Sequence, residues 1–278
     1  MLLADDRART ANKMLVKQLN IIWLVDPEPK YQQHIEALTA AVVDTEKLKL
    51  IASDIASFWQ RQRIAISDEN GSDINDPLIR ALSLEPQAAH YLQLQNRIQH
   101  LLWLTHNHAW TNIQLDGLIR PGMASQSLPL IATKLTLLGD GIASSQAAHT
   151  LDDGFVNAVK RFQRRHGLNA DGIIGPETLK WLNMPPMVRA KLLVNNFIEK
   201  AQFMSQRAEP LLVINIPAYE MELISRGRVA LQSRVIVGKP YRQTPLLSSA
   251  ISNVVINPSW RVPKKILYND LLPQVRKD

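Results

Sequence analysis

The stretch at 152–183, DDGFVNAVKRFQRRHGLNADGIIGPETLKWLN, constrains the fold more than any other part of the chain. Phe155, Val159 and Phe162 recur at i, i+4 and i+7, which predicts one apolar stripe on a helix of about three turns. Asp152 or Asp153 is placed to cap its start by accepting from the unpaired N–H groups of the first turn. Gly167 suits the left-handed position that ends a helix, with Leu168 set to fold back onto it. Asp171-Gly172 then turns the chain, and Gly175-Pro176 opens a second helix, where the N–H that proline lacks is not needed. Leu179 and Leu182 give that helix a buried face, and Asn183 with Pro185-Pro186 stops it.

This arrangement resembles the peptidoglycan-binding-like domain, a three-helix module of cell-wall enzymes. The residues that carry the resemblance are Phe162, Gln163, Gly167, Leu168, Asp171, Gly172, Gly175, Pro176, Thr178 and Leu182. A first helix is supplied upstream by Leu128-Pro129-Leu130-Ile131, Leu135, Leu138 and Gly139. The resemblance covers roughly residues 122–184. It leaves open whether the module holds ligand or serves as a spacer.

A chain of 278 residues that is 46% hydrophobic has the length for about two domains and ample material for cores. No segment approaches the ~18–20 apolar residues of a membrane span. The start, MLLADDRART, places acidic residues directly after three apolar ones and does not read as a secretory signal. The absence of cysteine excludes disulfides, thiolate-ligated zinc and a thiol nucleophile from these residues. No cofactor is indicated. The net charge of +7 is uneven: residues 1–150 carry 13 Lys+Arg against 15 Asp+Glu, and residues 151–278 carry 19 against 10. Such a basic half suits either a solvated face or an anionic polymer. Arg161, Arg164 and Arg165 are candidates to face an acidic peptide, or equally a plain solvent-exposed helix side. No basic stretch is interleaved with aromatic residues, so nucleic acid is not expected as a partner.

Residues 1–65 read as helices, with Ile35, Leu38, Val42 and Val43 on one face and Leu48, Ile51, Ile55 and Phe58 on another. Residues 67–77, SDENGSDINDP, read as a polar connection. A further helix carries Tyr91, Leu94, Ile98, Leu101, Leu102 and Thr105 on one side. His100, His106 and His108 invite a metal reading, yet no carboxylate stands among them, and His106 and His108 point ~200° apart on a helix; no metal site is expected. A helix from about Met187 to Met204 is expected to bury Leu193, Phe197, Ala201 and Met204. Branched and alternating residues then predict strands at Leu211–Ile216, around Tyr219–Leu223, at Val229–Val237 after an Arg226-Gly227 turn, and at Val254–Ile256.

Three landmarks in this last region, Val213–Tyr219, Ser233–Pro240 with Gln243-Thr244-Pro245, and Asn253–Trp260 with Val262-Pro263 and Asn269–Pro273, resemble the opening strands of the L,D-transpeptidase catalytic domain. The type it resembles most is the large Gram-negative one, which carries a helical scaffold and a peptidoglycan-binding-like module first. Pro86, Tyr91, Trp110, Ile113, Leu118 and Pro121-Gly122 resemble the end of that scaffold. The fold class expected is therefore α+β and multidomain. It comprises a helical scaffold at 1–121, the three-helix module at 122–184, a connecting helix at 185–209, and the N-terminal part of a transpeptidase β-domain at 210–278.

The resemblance implies a ping-pong acyl transfer on peptidoglycan stem peptides, in the periplasm, in which a cysteine thiolate activated by histidine attacks the donor carbonyl. The family's cysteine and histidine lie downstream of these landmarks. Here there is no cysteine, and the last histidine is His166. Ser248, Ser249, Ser252 and Ser259 have no histidine in their region, and Lys264-Lys265 reads as a solvated pair. No catalytic residue is therefore expected. The chain reads as a truncated, inactive member with peptidoglycan as partner, or alternatively as a non-catalytic peptidoglycan-binding or scaffold protein. A helical adaptor that binds nucleic acid through the basic half has little beyond charge behind it. Incomplete strands are expected to leave residues 210–278 poorly stable on their own.

Overall fold

In the computed structural model the described residues are 2–40, 44–67, 76–141, 149–205, 207–239, 241–259 and 261–275. The chain divides into two compact units, residues 1–211 and 212–278, and the fold is α+β. Val42, Val43, most of the expected 67–77 connection, Pro240 and Trp260 lie outside the described residues.

The first unit is helical and has two separate cores. Its centre is α1 (Leu2–Val25), which buries Leu15, Leu19, Ile21, Ile22 and Leu24. Apolar burial on more than one side marks a helix enclosed by its neighbours rather than lying on a surface. Gln18 is also buried; its amide nitrogen donates to the Ala81 carbonyl at 2.8 Å, while its Oε1 has no hydrogen-bond partner among the described residues. Around α1 lie α2 (Pro29–Ala40), α3 (Thr45–Arg61), α4 (Pro77–Ser83) and α5 (Tyr91–Asn107). The expected face of α3 is buried in full, from Leu48 through Ile51 and Ile55 to Phe58. In α5 the buried side is Tyr91, Leu94, Ile98, Leu101 and Leu104.

The second core belongs to α6 (Leu128–Leu137), α7 (Asp153–Arg165) and α8 (Pro176–Asn183). Leu128, Ile131, Leu135, Phe155, Val159, Phe162 and Leu182 meet there, joined by Ile113 and Ile119 from the segment before α6. From α8 the chain enters α9 (Pro186–Ser205), which returns to the first core through Ala190, Val194 and Ile198. The expected stripe on this helix is offset. Leu193 is exposed and Val194 wholly buried, because the inward side is fixed by contact with α5 and α1, which a nearly all-round apolar sequence does not reveal.

The second unit contains, from the second residue of β1 onward, β1 (Leu211–Asn215), β2 (Glu220–Ser225) and β3 (Arg228–Arg234) in the order β1-β2-β3. Arg226 and Gly227 both take positive φ, 53° and 67°. They form the two-residue turn of an antiparallel β2–β3 hairpin that pairs Ser225 with Arg228. A bulge follows, with Leu223 opposite Leu231 and Ile224 opposite Val229. The expected strand at Val254–Ile256 does not form: those residues have no regular structure and are 81%, 65% and 85% exposed. A strand needs a neighbour to satisfy its backbone, and none is supplied to this segment among the described residues. The expected strand to Val237 likewise stops at Arg234. Residues 264–275 form short helical turns.

Candidate functional site

The three-helix module is fastened by turn and capping chemistry that its sequence encodes locally. Asp152, not Asp153, caps α7 by accepting from the Phe155 N–H at 2.8 Å. At the other end Gly167 has φ 68°. Its N–H donates to the Arg164 carbonyl at 3.1 Å, and the Leu168 N–H donates to Gln163 at 2.9 Å. These two bonds make a Schellman ending.

Gln163 is the hub of the module. Its side chain is 1% exposed. Its amide nitrogen donates to the Ile173 carbonyl at 2.9 Å, Thr178 Oγ1 at 3.1 Å and Asp171 Oδ1 at 3.2 Å, while its Oε1 accepts from the Gly172 N–H at 2.9 Å. One amide thus ties α7 to the Asp171-Gly172 turn and to the first turn of α8. Gly172 has φ +80°, and a Cβ there would lie 2.8 Å from Val156 Cγ1. Glycine is required both by the backbone conformation and by the close approach.

The structure brings the motif residues together around the Gln163 fastening. Phe162 and Leu182 are wholly buried, Thr178 is 4% exposed, Leu168 and Gly175 are half-buried, and Gly167, Asp171 and Pro176 are exposed.

A second fastening was not visible in the sequence. Arg189 of α9 is buried, and it donates to the carbonyls of Met184 (3.1 Å) and Trp181. It also donates to His166 Nε2 at 3.0 Å. Since a guanidinium only donates, Nε2 must accept. His166 Nδ1 then carries the proton and donates to the Phe162 carbonyl at 2.8 Å. The ring packs between Phe162 and Trp181, with centroids 4.1 and 4.7 Å away. Burial, together with the nearby Arg165 and Arg189 charges, pushes its pKa down to about 4. His166 is a neutral structural group with both nitrogens committed.

Lys134 is 2% exposed. It donates to the Leu182 carbonyl at 3.3 Å and Asn183 Oδ1 at 3.1 Å, beside the Trp110 ring at 5.0 Å. A cation at the C-terminal end of α8 meets that helix's unpaired carbonyls. Burial and the charge of Arg189 lower its pKa to about 8. Asn183 pairs with both the N–H and the carbonyl of Ile113, at 2.8 Å each.

The three candidate arginines differ. Arg161 donates to the carbonyls of Asp140 (3.2 Å) and Gly141 (3.0 Å), and Arg165 is ion-paired with Asp140. Both hold the end of α6 against α7. Arg164 is exposed. The histidines at 100, 106 and 108 have separate local roles. His100 donates to the Leu137 carbonyl and His106 to that of Leu102, both at 2.7 Å, while His108 stands edge-on to Trp103. Among the described residues no helix is long and apolar enough to cross a membrane.

Against known families, residues 130–182 match the model described as "Putative peptidoglycan binding domain". Residues 209–278 match that of the "L,D-transpeptidase catalytic domain". A similar curated protein is the "Putative L,D-transpeptidase" of Haemophilus influenzae, 37% identical over 90 residues, which are 30% of this chain and 18% of the relative. The alignment thus spans less than a fifth of that relative's length.

Proposed function

We propose that these 278 residues act in peptidoglycan cross-linking and cell-wall biogenesis as the recognition and scaffold portion of an L,D-transpeptidase-type protein. The observation that carries this reading is the order of two independent family matches, the peptidoglycan-binding one at 130–182 and the transpeptidase catalytic one at 209–278. In this reading the partner is peptidoglycan, as glycan or stem peptide, and the place of action is the periplasm, where that polymer lies.

The residues present supply binding and not turnover. A thiolate mechanism needs a cysteine and a basic histidine. The chain has no cysteine, and its last histidine, His166, is held neutral in the module. Ser248, Ser249 and Ser252 lie on irregular backbone with no histidine in their unit.

Cosedimentation with purified sacculi tests the reading. The full chain is expected to pellet with them and to release no transpeptidation product from tetrapeptide-bearing muropeptides. Failure to pellet at low ionic strength overturns the recognition role. Product formation overturns the reading that these residues bind without turnover.

A further inference from the structure

A groove of about 720 Å³ runs where α1, α2, α5 and the start of α9 meet. Trp103 and Trp23 line it with four neutral amides, Asn20, Gln32, Gln99 and Asn107. No lysine, arginine, aspartate or glutamate is among its lining residues.

Trp103 is 50% exposed, whereas tryptophan is on average a highly buried residue. Its ring is held in place. His100 stacks on it at 6.1 Å and 19° between planes, and His108 meets it edge-on at 5.1 Å. The Asn107 amide donates to its backbone carbonyl at 2.8 Å. The side-chain nitrogen of Gln99 is buried and has no hydrogen-bond partner among the described residues. Such a buried donor is costly unless something accepts from it.

A fixed indole face beside neutral amides suits a ligand with one apolar face and a rim of hydroxyl and amide groups. Sugar rings have that character: their axial C–H groups lie flat on an aromatic ring while their edges hydrogen-bond. Gln99 also lines an adjoining groove of about 730 Å³, where Arg9, Lys13 and Lys17 stand in one row of α1. Cations there complement acidic substituents on the same polymer.

We propose that this groove is a second polymer site, which seats an N-acetylated sugar of a glycan strand on Trp103 and directs its carboxylate-bearing substituents toward Arg9, Lys13 and Lys17. The choice of glycan over a single nucleic-acid strand, which also stacks on indole and pairs with cations, rests on the peptidoglycan reading above.

The test is calorimetric titration of the full chain with the tetramer of N-acetylglucosamine, a neutral probe. Saturable binding is expected, weakened about tenfold or more by Trp103→Ala and less by Trp103→Phe, in line with the loss of an aromatic anchor. Gln99→Leu, which removes only the orphan amide, is expected to weaken binding too and serves if the alanine variant does not fold. Absence of binding at about 10 mM tetramer, wild-type affinity in Trp103→Ala, or tighter Trp103-dependent binding of oligothymidylate overturns the proposal. Sacculus binding that survives while the tetramer fails removes this groove alone, whereas loss of sacculus binding by the wild-type chain removes the broader reading.

Discussion

Replacing Gln163 with leucine keeps most of the buried volume and removes every polar contact of the hub. The Gly172 N–H, the Ile173 carbonyl and Thr178 Oγ1 all lose a partner at once. Each buried group left unsatisfied costs ~1–3 kcal/mol. The Ile173 carbonyl retains a long bond from Thr178 Oγ1 at 3.4 Å, and Asp171 is exposed and free to rehydrate. Two losses therefore count in full, giving a destabilisation of about 2–6 kcal/mol. Since the helical unit has two cores, a single global melting temperature mixes their responses. The suitable assay is hydrogen exchange in urea, read on peptides spanning 152–183 and, separately, on peptides from α3. The first set is expected to lose protection by the stated amount and the second to change little. A loss below about 0.5 kcal/mol in the first set, the usual scatter of surface substitutions, refutes Gln163 as the hub.

Three further outcomes follow from the same geometry. Gly172→Ala is expected to destabilise the module by about 2 kcal/mol or more, because a positive φ and a 2.8 Å approach to Val156 coincide; unchanged exchange protection at 152–183 contradicts that. His166 is neutral when folded, with a pKa of about 4 against an ordinary 6.5. The unfolded chain therefore binds more protons between those values, and module stability falls as pH drops from about 6.5 to about 4. His166→Gln is expected to flatten that pH profile, and an equally steep profile in the variant refutes the role. In the second unit, amides of 244–259 are expected to exchange within seconds at neutral pH, since the segment is irregular and largely exposed; strong protection there contradicts the observed absence of strand.

The module was legible in the sequence because its specification is local. An Asp N-cap, a glycine after the last turn, Asp171-Gly172 and Gly175-Pro176 each fix a backbone position within a few residues. Its fastenings were less so. Gln163 stood in the motif, but its four-way bonding depends on where Gly172 and Thr178 arrive in space. The His166–Arg189 pair spans 23 residues, and Arg189 carries no local signal at all. The offset stripe on α9 and the missing strand at Val254–Ile256 share one cause. Apolar content shows that a segment can be buried; only its neighbours decide which side, and whether a strand partner exists. Trp103 was readable only as one more aromatic residue on a helix, since its exposure and histidine neighbours are properties of the folded unit.

The most direct measurement of the central claim is a titration of the isotopically labelled full chain with soluble disaccharide–tetrapeptide muropeptides, followed residue by residue by NMR. Saturable shifts that include amides of 122–184 are what recognition of peptidoglycan by the module predicts. No shift anywhere in that segment at millimolar muropeptide, with the module folded, contradicts it.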